Sequence, residues 1–221
     1  MNLFIFSEDL RIRDNKALYE ASLEQKGLIA LYIINKRKNE EHGDSLAKLK
    51  LKLLALAEIR NPLVSLNIPI KILHSQDIKD EPKEILGFCK KHQITNIFLN
   101  SEYPFNEQQR NKKLEILCNK NEINLKMFDS QLIDPTKVKN NSGQPFKVFT
   151  PFWRNAEQVY LNSVPSKISK IQKLSKNFSY FKKNIKPNEV LPKKKWYKKF
   201  ELYWKVSETE SHKYLKDLIN N

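Results

Sequence analysis

Five short apolar runs, each but the last followed by a stretch of helical spacing, constrain this chain more than any other feature in it. They are "LFIF" (3–6), "LIALYII" (28–34), "IPIKIL" (68–73), "NIFLN" (96–100) and "INLKMF" (123–128). Near-continuous apolar runs rich in Ile and Phe suit strands covered on both faces, where a half-exposed strand would alternate. Helices fit between them: 15–26 behind Asp14 as N-cap, 44–66 opening at Asp44 or Ser45, 79–92, and about 105–120. Leu46, Leu49, Leu53, Leu56 and Ala57 recur at three- and four-residue steps, and Leu114, Leu117 and Cys118 mark the inner face of the last helix. This rhythm predicts an α/β fold, a Rossmann-like doubly wound five-strand parallel sheet with helices on both sides, over roughly 1–130.

Ligands of such sheets sit at the carboxyl ends of the strands, where strand order reverses. The four glycines, Gly27, Gly43, Gly87 and Gly143, build neither a GxGxxG fingerprint nor a Walker loop. The loop after the first strand is instead the charged "SEDLRIRDN" (7–15). On residue type alone, Asp9 and Asp14 cap or turn the backbone while Arg11 and Arg13 pair with them at the surface.

Charge is unevenly placed. Of the formal +15, residues 165–200 carry twelve Lys and one Glu, or +11. With Pro165, Pro187, Pro192 and no Gly, that segment reads as an extended, solvated linker, the alternative being a phosphate-contacting arm. Cys89 and Cys118 fall inside helices without metal-ligand spacing, so two buried, reduced thiols in a cytoplasmic protein are expected. "MNLFIFSEDLR" has too short an apolar run for a signal peptide or a membrane span.

Two motifs, in order and about 135 residues apart, resemble the N-terminal α/β domain of the DNA photolyase and cryptochrome family. "FIFSEDLRIRDNKAL" resembles the family's opening strand and turn through Asp9, Leu10, Arg11, Asp14 and Asn15, although the family's usual Arg is Ser7 here. "KVFTPFWRN" (147–155) is similar to the segment that closes that domain. "WKVSETESHKYLKDL", from Trp204, resembles the start of the second domain, with Ser207 and Ser211 in place of Gly and Ala. The resemblance implies an antenna domain at 1–164, a Lys-rich linker at 165–200, and at 201–221 the start of a helical FAD-binding domain. It places the flavin, the damaged dimer and the electron-transfer tryptophans in that second domain; Trp153, Trp196 and Trp204 match none of those positions. FAD is therefore not expected in this chain, nor repair of DNA by it alone; a separate FAD-binding domain is the implied partner.

Family members of the folate type place a His after the second strand and an Asn–Glu pair at the helix after the fourth. His42 in "EEHGDSL" and Asn106 with Glu107 in "YPFNEQQ" stand there, which implies a reduced folate of the methenyltetrahydrofolate type as antenna. One carboxylate can accept both the amino group and the ring N–H of a pterin edge. Ordinary duties are open to the same residues: Asn106 as N-cap, Glu107 as dipole partner, His42 as a solvated loop residue. A second class of function also stays open, a non-catalytic module binding nucleic acid or a partner through 165–200. The last helix would expose Tyr214, Leu215, Leu218 and Ile219, and a homodimer is one way to cover them.

Overall fold

A computed structural model describes residues 1–35, 46–131, 133–162, 170–175 and 205–220, with Lys199 and Tyr203 singly. Strands β1 (Asn2–Phe6), β2 (Leu28–Asn35), β3 (Ile70–Ser75), β4 (Asn96–Asn100) and β5 (Asn124–Phe128) form one all-parallel sheet in the order β3-β2-β1-β4-β5. Between them run α1 (Lys16–Leu23), α2 (Leu46–Ser65), α3 (Glu81–Lys91) and α4 (Phe105–Lys120), followed by α5 (Phe149–Leu161) and α6 (Glu208–Asn220). The expected doubly wound sheet is the one observed.

Central β1 shows why its run had to be continuously apolar. Phe4 and Phe6 enter the core on the α1–α2 face, whereas Leu3 and Ile5 enter the core on the α3–α4 face. Phe4 pairs in register with Ala30 on one side and Phe98 on the other, and all three are buried. An unpaired polar side chain would be costly on either face of such a strand, and buried Asn2 at its start is paired with Glu24 and Asn96. Edge strand β5 is half-covered, and there Lys126 lays its ammonium over Phe98 at 5.0 Å while pairing with Glu24 at 2.7 Å.

A chain with few glycines must end its helices another way. Left-handed backbone follows each of the first four helices, at Gln25 (φ 49°), Asn67 (φ 63°), Gln93 (φ 52°) and Glu122 (φ 55°). After α2, α3 and α4 the next residue is Ile68, Ile94 or Ile123, each buried. Their amides reach back to Leu63, Cys89 and Cys118 carbonyls at 2.9, 2.9 and 3.0 Å. This is the Schellman closure, with the isoleucine supplying its apolar contact and starting the turn into the next strand.

Two expectations shift in detail. The N-cap of α1 is Asn15, whose Oδ1 accepts from Leu18 N, while Asp14 sits one residue earlier at φ 52°. Within the stretch read as a solvated linker, residues 170–175 are packed: Ile171 and Leu174 are buried in the α1–α2 core. Leu174 N donates to Leu66 O at 3.0 Å, its carbonyl accepts from Asn67 Nδ2 at 2.6 Å, and Gln172 N donates to Ser22 Oγ at 3.1 Å. Most of 165–200 lies outside the described residues. As expected, Cys89 and Cys118 are buried and unpaired, and burial pushes their thiols up to about 12 and about 11. On α6, Tyr214, Leu215, Leu218 and Ile219 are exposed. No helix among the described residues is long and apolar enough to cross a membrane.

Leu174→Ala is expected to cost about 2–4 kcal/mol in urea denaturation, as a buried leucine does; a solvated linker residue would leave the midpoint unmoved. Gln93→Gly should raise stability by roughly 0.5–1 kcal/mol by relieving the left-handed position without touching a contact.

Candidate functional site

Strand order reverses between β1 and β4, so the loops leaving their carboxyl ends, 7–15 and 101–104, meet at one place. The buried Asn100 carboxamide, at the end of β4, joins them. Its Nδ2 donates to Asp9 Oδ2 at 2.5 Å and to Asn15 Oδ1 at 2.8 Å, and its Oδ1 accepts from Ala17 N at 3.1 Å. Asn15 Oδ1 also takes Leu18 N at 3.2 Å, and its Nδ2 donates to Arg11 O at 3.0 Å. In many doubly wound sheets the helix N-terminus after the first strand receives a phosphate. Here two of its N–H groups are already held by asparagine side chains, beside a carboxylate. That end of α1 offers no phosphate site.

Arg11 and Asp14 do pair at the surface, as residue type suggested. The guanidinium donates to Asp14 O at 3.2 and 2.9 Å and lies 3.9 Å from its carboxylate. Asp9 holds the backbone as residue type suggested, its Oδ1 accepting from Ser7 N at 2.8 Å, while its Oδ2 turns inward to Asn100.

A second network spans the same edge on the α3–α4 side. Arg110, on α4, donates to Glu81 Oε2 at 3.0 Å and pairs with Glu102 in the 101–104 loop. Glu81, at the start of α3, accepts from Asn35 Nδ2 at 2.7 Å at the end of β2. Glu102 accepts from the Ser7 hydroxyl, and Asn111 Oδ1 accepts from Arg110 Nε and Nη2 at 3.1 and 2.9 Å. The chain of contacts Asn35–Glu81–Arg110–Glu102–Ser7 thus joins the carboxyl ends of β2 and β1 through α3 and α4. One guanidinium thus serves two carboxyl groups, all 9% exposed or less. Burial raises the Glu81 carboxyl above its ordinary range, and Arg110 offsets this in part. Among the described residues, Asn35 Oδ1 and Glu84 Oε2 are buried without a hydrogen-bond partner.

Asn106 and Glu107 occupy the second and third positions of α4, whose N-terminus lies at the carboxyl end of β4. The cap is Pro104, in extended backbone with no side-chain bond, so Asn106 does not serve as N-cap. Among the described residues neither the Asn106 nor the Glu107 side chain makes a hydrogen bond or ion pair; Asn106 is exposed and Glu107 half-buried. Arg110 and Asn111 stand one turn further along α4, so the buried network anchors the turn that carries both. His42 lies outside the described residues. No group of three His, Cys, Asp or Glu among the described residues is arranged to hold a metal ion.

Sequence reasoning missed Asn35, Glu81, Asn100, Glu102 and Arg110. Asn35 and Asn100 end strands, Glu81 opens a helix, Glu102 lies in a loop and Arg110 within α4, and the bonds that join them to other elements span 8 to 95 positions. The available signal was Arg110 itself, an arginine on the inward face one turn before Leu114.

The sequence matches the family model for DNA photolyase over residues 2–170. It is 34% identical over 175 residues to the deoxyribodipyrimidine photo-lyase of Buchnera aphidicola subsp. Baizongia pistaciae, covering 78% of this chain and 36% of that protein. It is 30% identical over 224 residues to the mitochondrial deoxyribodipyrimidine photo-lyase of Saccharomyces cerevisiae, covering 86% and 39%. A bacterial class III photolyase from Agrobacterium tumefaciens shares the fold, with a TM-score of 0.81 at 23% identity, over 100% of this chain and 44% of that one. The fold is thus that of a photolyase-type α/β domain, and the chain belongs to the DNA photolyase family. It spans 36% to 44% of the length of these relatives.

Removing Arg110 strands two buried carboxylates, so Arg110→Ala should cost about 3–5 kcal/mol at neutral pH. A carboxyl raised in the folded state contributes stability below its unfolded pKa and loses it as pH rises through the folded one. Without Arg110, burial of Glu81 is opposed by the Asn35 hydrogen bond but no longer by the guanidinium. The deficit of the variant should therefore shrink as pH falls through the carboxylate range, measured by urea denaturation at pH 4 to 7.

Proposed function

We propose that this chain is the light-gathering domain of a deoxyribodipyrimidine photo-lyase-type system, residues 1–164 holding an antenna pigment of the reduced-folate type. The observation that carries this reading is the first turn of α4. Asn106 and Glu107 stand at the carboxyl edge of the sheet, relieved of capping duty and without partners among the described residues. The Glu107 carboxylate would accept the paired N–H groups of the pterin edge, Asn106 would add a donor or acceptor, and His42 would cover the bridging part of the pigment.

The energy so collected would serve light-driven cleavage of pyrimidine dimers in DNA, a carbon–carbon lyase reaction. Electron transfer into a dimer needs a redox cofactor beside it. The family resemblance puts the flavin and the dimer in the portion of the relatives that this chain does not match. The chain's proposed partner is that FAD-binding domain, in the same polypeptide or a separate one, with DNA bound through it. Two buried, inert thiols fit a cytoplasmic setting.

A second reading draws on the +11 of residues 165–200: a nucleic-acid-binding module without a pigment. Titration separates the two. Mixed with methenyltetrahydrofolate, the chain should carry a near-ultraviolet absorption band through gel filtration, and Glu107→Ala should weaken binding at least about tenfold, the loss of a charge-assisted pair. An unchanged band in the variant removes the pterin contact, and retention of a flavin in place of the folate removes the assigned pigment. DNA affinity falling steeply with salt, in a chain that takes up no pigment, favours the second reading.

A further inference from the structure

Loop 7–15 is braced from within. Arg11 N donates to Asp9 O at 2.6 Å, the Arg11 guanidinium closes on Asp14 O, and Asn15 Nδ2 holds Arg11 O. Those bonds leave two consecutive backbone N–H groups, of Ile12 and Arg13, unused by the loop itself. Both are taken by one carboxylate from far along the chain. Glu208, the first residue of α6, accepts Ile12 N through Oε2 at 3.0 Å and Arg13 N through Oε1 at 2.8 Å.

The rest of α6 is not held by burial. None of its residues is buried, and Leu218 is 76% exposed. Its own start is well formed, with Ser207 Oγ accepting Glu210 N at 3.1 Å, so Glu208 is presented from a fixed first turn. The receiving loop is equally fixed: through Asn15 and Asp9 it is tied to Asn100, and through Ser7 to Glu102, which pairs with Arg110 beneath the Asn106–Glu107 turn. A rigid donor pair meets a rigid acceptor pair, and the two amides lie between Arg11 and Asp14, which hold each other.

We propose that Glu208 is a positioning residue. Its carboxylate, seated on the Ile12 and Arg13 amides, sets where α6 stands relative to the switch point of the sheet. On the antenna reading of the previous section, it thereby sets the distance and orientation between a pigment at that edge and the helical unit that α6 opens; the positional claim itself does not need that reading.

The test uses the full 221-residue chain. Spin labels at Leu218 on α6 and Ile116 on α4, both exposed, should give a narrow distance distribution. Glu208→Ala should broaden it, and Glu208→Gln, which keeps one acceptor oxygen, should broaden it less. Exchange of the Ile12 and Arg13 amides should accelerate at least about tenfold in Glu208→Ala, the loss of hydrogen bonds to a charged group. Added formate should slow that exchange again by refilling the two amides, while the label distribution stays broad because formate carries no α6. The urea midpoint of the α/β body should stay put. An unchanged distribution in Glu208→Ala overturns the proposal, and so does a lowered urea midpoint with no formate effect, since that would make Glu208 a general stabiliser. If the labels respond as stated but no pigment binds, the antenna reading fails and the positioning role stands.

Discussion

One buried carboxamide organises the functional edge of this molecule. Asn100 ends β4, caps α1 through Ala17 and fixes the loop after β1 through Asp9 and Asn15. Because an unpaired amide in this position would carry the full desolvation penalty, its three bonds hold each other in place. The loop so fixed can then serve two neighbours: Glu102 through the Ser7 hydroxyl, and Glu208 through the Ile12 and Arg13 amides. Positions that could not otherwise be precise on loops become precise by this bracing.

The same edge separates two electrostatic jobs. Around α1, asparagines and Asp9 occupy the helix end that could have drawn an anion, so a phosphate has no place there. Around α4, Arg110 is fully engaged by Glu81 and Glu102, which anchors the helix but offers no spare positive charge. Among the described residues, the side chains of Glu107, an acceptor, and Asn106, a donor and acceptor, stay unengaged at this edge. A ligand matching it presents N–H groups rather than phosphate oxygens. On the reading proposed above, the paired N–H groups of a pterin edge would match these acceptors.

Glycine scarcity shaped the fold's joints. With the left-handed positions after α1 to α4 filled by Gln25, Asn67, Gln93 and Glu122, the strain is met by the backbone closure and, after α2, α3 and α4, by the buried isoleucine that follows. Ile171 and Leu174 make a comparable repair at a larger scale, sealing the α1–α2 core with chain from far beyond the sheet.

The sequence by itself determined the sheet, its parallel sense and the position of the helices, because strand–helix alternation and doubly apolar strands admit few other packings. It also determined the exposed apolar face of α6 and the burial of both cysteines, since period and residue type decide these locally. Asn106 and Glu107 could be singled out only through family resemblance, because a polar pair at a helix start looks like capping until Pro104 is seen to be the cap. Tertiary structure alone decided that Asp9 turns inward while Arg11 stays at the surface, that Arg110 is shared by two carboxylates, that 170–175 joins the core, and that Glu208 meets a loop 195 residues before it. Each depends on which distant groups arrive at one place, and a polar side chain's partner at long range leaves no periodic trace in the chain.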